Sequence, residues 1–499
     1  MITFFIGLSI LLFGYIFYSK YVDKVFGPVE RDTASKKRFD GVDFVPLKDW
    51  KNQVIHLLNI AGMGPILAAI QGCLFGPWMF IIVPLGCVFM GAVHDYMCGM
   101  ISVRNDGLQI TGMIKKYLGT TFFRISLVVV SIMLFLWVAV FVYGTGDIFM
   151  QRFLHQTDFT FDNPVAVTVY SAILLYFVVA TVFPIDKIIG RIYPIFGGLL
   201  MLGTLCLVYG FITKGISIPE ASLQTIHIHP KHIGWIPFFF MTVSCGLLSG
   251  SHATQAPIVA RTVSDERDGR KIFYGMMCLE SVIVMIWGLA AMSVMNLNLV
   301  PQKLIGTANV VNIVADHYAS FGAAIMIVLA VLVLPITSGD TALRGVRMII
   351  SEALNICQKP LKNRLAIVIP SVMTTACILV WAKVGASSFS TVWRYVMFFN
   401  QLIALPMLIL ATVYLYQEKK NYFLTLIPGM FYIFILSTFF LNAQIGLNMN
   451  LRYAEIMGIV ITIVSVAVLM GKLKHQKTVS VNVLEAEEVK EQPVKTESI

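Results

Sequence analysis

Seven ionisable side chains stand inside the long apolar runs of this sequence: His56, His94, Asp95, Asp147, His252, Glu280 and Asp340. An ionisable group in hydrocarbon is costly, so such residues usually carry protons, ions or substrate. Glu280 can be a proton carrier or a structural partner of one of the histidines. His56, near one end of its run, either belongs with these groups or snorkels and caps its own helix. His94 and Asp95 are adjacent, so on a helix they point in different directions, one to the bundle centre and one to a neighbouring backbone. Thr337, Ser338, Asp340 and Thr341 gather hydroxyls and a carboxylate in one short stretch, an oxygen-rich set that suits Na⁺ or a proton. Asp340 can instead form a helix-end ion pair with Arg344 one turn later. The groups expected to carry ion or proton coupling are therefore Asp340, Thr337, Ser338, Thr341, Asp95, Glu280 and His94.

Further chemistry comes from the backbone. Gly62-Met63-Gly64-Pro65 interrupts the apolar segment 54–74, and Cys245-Gly246-Leu247-Leu248-Ser249-Gly250-Ser251 interrupts the segment 235–260. Glycine and proline remove packing, helical rigidity and one amide donor where lipid tolerates none of these losses unless the backbone lines a cavity. Paired broken segments point to the binding site of a secondary transporter, and half-helix N-termini suit a substrate carboxylate. The expected substrate contacts are Gly62, Gly64, Asn59, Gln71, Ser249, Ser251, His252 and Gln255. Some of these hydroxyls serve only their own helix backbone.

The elements that must position these groups are membrane helices. The 499 residues are 57% hydrophobic and 13% charged, with a mean hydropathy of +0.79. Apolar runs follow one another almost to the end, which reads as an all-α polytopic membrane protein. About thirteen spans are expected: 2–19, 54–74, 78–101, 125–149, 164–183, 192–213, 235–260, 272–298, 321–343, 365–382, 395–416, 423–441 and 453–471. The first lacks the basic start and small-residue cleavage site of a signal peptide and is read as a retained helix.

The net charge of +10 is a topology signal, not a nucleic-acid footprint. Basic residues crowd 20–53 and recur at Arg104, Lys115, Lys116 and Arg124, at Arg261 to Lys271, and at Arg344 to Arg364, while the connections 75–77, 150–163 and 299–320 hold only Arg152 and Lys303. The positive-inside rule then puts the N-terminus outside and the tail from 474 in the cytoplasm. That tail, rich in Glu, Lys, Val and Ser, is expected to be disordered.

The eight cysteines lie singly, most of them within apolar runs, and form neither a disulfide framework nor a zinc site. His227, His229 and His232 sit in one outer connection with no acidic partner, so an ordinary loop is expected there and no metal. No phosphate-binding loop, nucleophile elbow or H-E-x-x-H is present. No enzyme activity, catalytic residue or cofactor is expected beyond a coupling ion.

An internal repeat organises the spans. Pro65-Ile66 recurs 192 positions on as Pro257-Ile258, and Gly146-Asp147 recurs 193 positions on as Gly339-Asp340. Two matches at nearly one offset mark a duplicated unit of five spans, 54–213 and 235–416. An odd number of spans inverts the second copy. The expected organisation is a first helix at 1–20, a cytoplasmic loop at 21–53, the two repeats, two further helices within 423–471, and the tail 474–499.

Several stretches carry a resemblance to a known family. Asp40 to Pro46, His56 to Pro65, Gly91-Ala92-Val93-His94-Asp95, Cys245 to Pro257, Glu280, Thr337 to Arg344 and Asn400-Gln401 together resemble the carbon starvation protein family, over most of the chain to about residue 416. Leu67-Ala68-Ala69 and Ser251 depart from the family pattern. The resemblance implies an inner-membrane bacterial transporter used under carbon limitation, importing peptides or pyruvate with proton coupling. It also implies a leucine-transporter-like fold, an inverted five-plus-five repeat whose first and sixth helices are broken.

The function expected is a secondary active transporter that imports peptides or a small carboxylate, coupled to H⁺ or Na⁺. A channel or a membrane sensor is the alternative, although no continuous polar stripe marks a pore and the tail is short for a signalling domain. The partners expected are a small-molecule substrate and the lipid bilayer, with no nucleic acid and the oligomeric state open.

Overall fold

The computed structural model describes the chain except residues 157, 159, 184–188, 226–228, 231–232, 303–304, 306–309, 385–388, 444–445 and 491–499. Lys303, His227, His232 and the end of the expected tail lie outside the described residues. The side chains of 63, 189–192, 384, 389–395 and 476–490 also lie outside them.

The chain folds as α1 (Ile2–Phe26), α2 (Asp49–Ile60), α3 (Met63–Gly72), α4 (Met79–Arg104), α5 (Ile110–Leu118), α6 (Thr120–Phe153), α7 (Pro164–Val182) and α8 (Ile189–Lys214). There follow α9 (Phe238–Thr242), α10 (His252–Ala260), α11 (Glu266–Asn296), α12 (Val310–Tyr318), α13 (Phe321–Ala353), α14 (Leu361–Val384), α15 (Phe389–Gln417), α16 (Phe423–Asn442) and α17 (Leu451–Lys490). It is an all-α membrane protein. Among the described residues eleven helices are long and apolar enough to cross a bilayer, and α2 with α3, bent by 53°, passes the same test as a pair. The remaining expected segment, 235–260, is carried by two short helices, α9 and α10, with irregular backbone between them. The last helix runs on to Lys490, into the stretch whose composition reads as an unstructured tail. The run Leu484-Glu485-Ala486-Glu487-Glu488 is made of good helix formers.

Both interruptions follow from glycine. Gly62 is extended at φ −74°, ψ −155°, and Pro65 sits in the first turn of α3, where its missing amide leaves no bond unmade. In the second interruption Gly246 has φ +82°, a left-handed conformation that a side chain disfavours.

The long helix α13 lies at the centre, packed against α6, α8, α7 and α2, while α11 backs α3 and α10 backs α4. The first and last helices are peripheral, with Phe5, Leu12, Ile456 and Ile463 among their exposed residues. Apolar exposure there is what lipid requires.

Candidate functional site

The two interruptions meet. A small cavity is lined by Asn59, Ile60, Gly62 and Gly64 from the first, by Cys245, Ser251 and Gln255 from the second, by Trp137 and Phe141 of α6, and by Ser338 and Ala342 of α13. The room left for the centre of a water molecule is about 10 Å³, about one water. A methyl at Gly64 would stand 2.4 Å from Cys245 Sγ, and one at Gly62 would stand 2.8 Å from Ser338 Oγ. The glycines therefore let the walls close on each other as well as breaking the helix.

Five of the eight residues expected at the substrate line this cavity: Gly62, Gly64, Asn59, Ser251 and Gln255. Gln71 lies about two turns further along α3, outside the lining. Ser249 faces Asn400 of α15. Its hydroxyl accepts from Asn400 Nδ2 at 3.0 Å, and it lies 3.0 Å from Ser251 Oγ. His252 turns away from the cavity, and its Nδ1 lies 2.8 Å from Asp95 Oδ2. Placing it with the substrate by its position after the break overlooks that the first turn of α10 directs successive side chains around the axis.

The irregular backbone of the second interruption is held from α15. The Ser251 amide donates to Asn400 Oδ1 at 2.6 Å, and Gln401 Nε2 donates to the Leu248 carbonyl at 3.0 Å. Gly250 permits this approach, since a methyl there would lie 1.9 Å from the Asn400 carbonyl oxygen. Asn400 and Gln401 enter the sequence reading only through the family resemblance, because a polar pair on an apolar helix does not name its partner.

The hydroxyls of α13 close the end of α2. Thr337 Oγ1 stands 3.1 Å from the Leu58 carbonyl and 2.9 Å from the Leu334 carbonyl of its own helix, and Ser338 stands 3.1 Å from the carbonyls of both Leu58 and Asn59. These carbonyls belong to the last turn of α2, where the break removes their helical partners. Thr341 Oγ1 lies 2.9 Å from Asn59 Oδ1 and 2.9 Å from Asp340 Oδ1. Asp340 is fully buried and accepts from Tyr193 at 2.6 Å and Tyr176 at 2.9 Å. The alternative ion pair with Arg344 gives way to another arrangement, in which Arg344 and Arg347 both pair with Asp43, at 3.1 and 2.7 Å. Tyr176 and Tyr193 were invisible as site residues, since tyrosine in an apolar helix reads as packing.

Behind the cavity a second polar group is buried. Asp95 is shared by His94 Nδ1 on Oδ1 at 2.9 Å and His252 Nδ1 on Oδ2 at 2.8 Å. His56 Nε2 is 4.0 Å from the same Oδ2, and His252 Nε2 is 3.7 Å from Glu280 Oε1. All five side chains are 0% exposed. The expectation that His94 and Asp95 point apart is corrected: the Cα–Cβ directions diverge, yet both side chains bend to meet. His56 belongs to this group and does not snorkel. Asp147, 193 positions before Asp340 in the sequence, accepts from Lys383 at 2.7 Å and Tyr170 at 2.5 Å.

Among the described residues no three His, Cys, Asp or Glu side chains form a set able to hold a metal, and His229 packs its ring on Phe75 at 4.7 Å. The oxygen-rich corner at Leu58, Asn59, Thr337, Ser338 and Asp340 has the donor type of an alkali-cation or proton site.

Comparison with known proteins places this geometry. A sequence model described as carbon starvation protein CstA matches residues 1–152, 142–303 and 298–439. An uncharacterised membrane protein of Haemophilus influenzae is 36% identical over 332 residues, covering 58% of this chain and 89% of that protein. The peptide transporter CstA of Helicobacter pylori is 25% identical over 330 residues, 55% of this chain and 48% of that protein. The pyruvate/proton symporter BtsT of Escherichia coli is 25% identical over 353 residues, 57% of this chain and 48% of that protein. These matches span about half of each of those two transporters. In fold, the chain is similar to a variant of the Eremococcus coleocola manganese transporter, with a TM-score of 0.50 at 12% identity over 85% of this chain and 96% of that one. The relatives and the fold neighbour that carry functional names are transporters, not enzymes.

Proposed function

The chain belongs to the carbon starvation protein CstA family, and on that premise we propose that it is a secondary active transporter of the cytoplasmic membrane, importing a small carboxylate or short peptide under carbon limitation. One observation carries the reading: two helix breaks that the sequence pairs at a 192-residue offset converge on one small cavity. Alternating access then works by rocking α2–α3 and α9–α10 against the rest, which agrees with two inverted repeats at 54–213 and 235–416. The N-terminus is outside and the end of α17 cytoplasmic on this reading.

Two buried acidic groups are candidates for coupling. Asp340, with Thr337, Ser338 and Thr341, faces the last carbonyls of α2 and is suited to H⁺ or Na⁺. Asp95, His94, His252 and Glu280 form a separate chain suited to H⁺. Neither group touches bulk water, so each exchanges its ion only when a half of the molecule opens. The small room in the cavity, about 10 Å³, favours this mechanism over a channel, whose pore would be continuous.

Reconstituted protein tests the proposal. Labelled pyruvate, lactate, alanine and dialanine should accumulate above equilibrium in proteoliposomes under an imposed proton or sodium gradient, and an ionophore should abolish the accumulation. Passive equilibration insensitive to the ionophore would point to a channel.

A further inference from the structure

The cavity carries two buried polar atoms that the protein leaves unmatched, and they are of opposite kinds. Among the described residues, Asn59, 3% exposed, has no partner for its donor nitrogen Nδ2, and Gln255, 4% exposed, has none for its acceptor Oε1. An unmet buried polar group costs folding energy, and both side chains line the cavity, where a bound molecule can meet them.

The orientation of Gln255 is fixed by its neighbour. Thr254 Oγ1 gives its single hydrogen to the Ser251 carbonyl at 2.7 Å. Its oxygen can then only accept, and it accepts from Gln255 Nε2 at 3.3 Å. A flipped carboxamide would set two acceptors against each other, so the oxygen of Gln255 is the atom left to the cavity.

On the facing wall α3 begins at Met63, and its first amides have no partner within the helix. Gly64 lacks a side chain there. These amides and Asn59 Nδ2 together suit a carboxylate. The lining residues bring no Lys, Arg or His of their own.

A carboxylate meets the amides and Asn59 but leaves Gln255 unmet. We propose that the cavity selects a small carboxylate carrying a hydrogen-bond donor next to the carboxyl group, an α-hydroxy or α-amino acid, over the corresponding keto acid, and that Gln255 is the residue that discriminates. A keto acid offers only acceptors, so its carbonyl would oppose the Gln255 oxygen. The proposal rests on the reading of this cavity as the substrate site, and, since the cavity as it stands holds about one water, the acid enters when the two interruptions move apart.

Binding to the full-length protein in detergent tests it without requiring transport. Intrinsic fluorescence, with Trp137 in the cavity wall, is titrated with lactate, alanine, dialanine and pyruvate. Lactate, alanine or both should bind at least about tenfold more tightly than pyruvate, because one buried acceptor goes unpaired with the keto acid. Lactate and alanine separate hydroxyl from amine donors, and dialanine shows whether a peptide fits. In Gln255→Met, which keeps the bulk and removes the acceptor, the preference should vanish. Pyruvate binding as tightly as both donor-bearing acids in the wild type, or no binding by any probe, would overturn the proposal; the first needs no variant to fold. A preference that persists in Gln255→Met overturns the role of that residue. A preference without accumulation in vesicles would sink the transporter reading and leave the selectivity standing.

Discussion

The hydroxyl of Thr341 lies 2.9 Å from the side-chain oxygen of Asn59. The Thr341 hydroxyl oxygen is also 2.9 Å from Asp340 Oδ1, 2.8 Å from the Thr337 carbonyl and 2.8 Å from the Tyr193 hydroxyl. With Tyr193 donating to Asp340, the one Thr341 hydrogen faces three acceptors. Ionised Asp340 competes best, since a charge-assisted bond is about twice as strong as a neutral one. Once Asp340 is protonated or cation-bound, the hydrogen is free for Asn59, whose carboxamide then holds its nitrogen for the cavity. Tyr176, Tyr193 and Arg344 are the other titratable or charged groups facing Asp340. In a transporter that works this way, Thr341→Val keeps exchange of substrate across the membrane but loses ion-driven accumulation, and Asp340→Asn does the same. Full coupled accumulation by Thr341→Val in proteoliposomes would remove Thr341 from the path.

The tight approach of Gly64 to Cys245 predicts a reciprocal pair of variants. In Gly64→Ala the new methyl meets Cys245 Sγ at 2.4 Å and Trp137 at 3.4 Å. Overpacking of this kind costs about 1–3 kcal/mol and here also spreads the two interruptions. Adding Cys245→Ala removes the clashing sulfur, so the double variant should recover much of the thermal stability and uptake lost by Gly64→Ala. A single variant as stable and active as the wild type would show that the interruptions need not touch.

How far the sequence went can be judged at these residues. Glycine and proline are strong signals because their backbone effects are local, so the Gly62 and Gly246 breaks were legible without any contact being known. Ionisable residues in apolar runs were legible for the same reason: their cost is a property of the residue and its surroundings in the chain. What stayed hidden was pairing across the bundle. Nothing local to Tyr193 or Tyr176 says that each will donate to Asp340, and nothing near Asp43 says that Arg344 will choose it over Asp340. His252 was read with the substrate because position along a segment was visible and rotation about its axis was not.

Asp43 makes a prediction in pH. It is 2% exposed and bonds Arg344 at 3.1 Å and Arg347 at 2.7 and 2.9 Å, tying the segment before α2 to one end of α13. Burial alone would raise its pKa, but the Arg347 and Arg344 guanidiniums hold it down to about 2. An unfolded Asp titrates near about 3.9. The folded value is the lower one, so the contribution of Asp43 is complete above about pH 4 and is lost as the pH falls to about 2. Asp43→Asn leaves two buried guanidiniums without a counter-charge and should destabilise the protein by about 3–5 kcal/mol. Melting temperatures in detergent should converge between wild type and Asp43→Asn as the pH drops through that window. Parallel curves would separate Asp43 from acid stability.

The last prediction concerns the buried histidines. His252 presents Nδ1 to Asp95 at 2.8 Å and Nε2 to Glu280 at 3.7 Å. If the Nδ1 hydrogen goes to ionised Asp95, Nε2 offers a lone pair towards Glu280. A second proton then sits either on Glu280, aimed at that lone pair, or on His252, facing a carboxylate. Both placements leave the pair with the same net charge, so passing the proton forms an ion pair between neighbours and adds no net charge to a fully buried site. Glu280→Gln preserves shape and a donor towards His252 but cannot release a proton. Proton-driven accumulation by that variant should therefore fail while counterflow exchange persists, and Asp95→Asn should behave alike because His252 loses the charge that fixes its tautomer. Coupled uptake at wild-type level by Glu280→Gln, with the protein monodisperse and folded, would leave Asp340 as the coupling carboxylate.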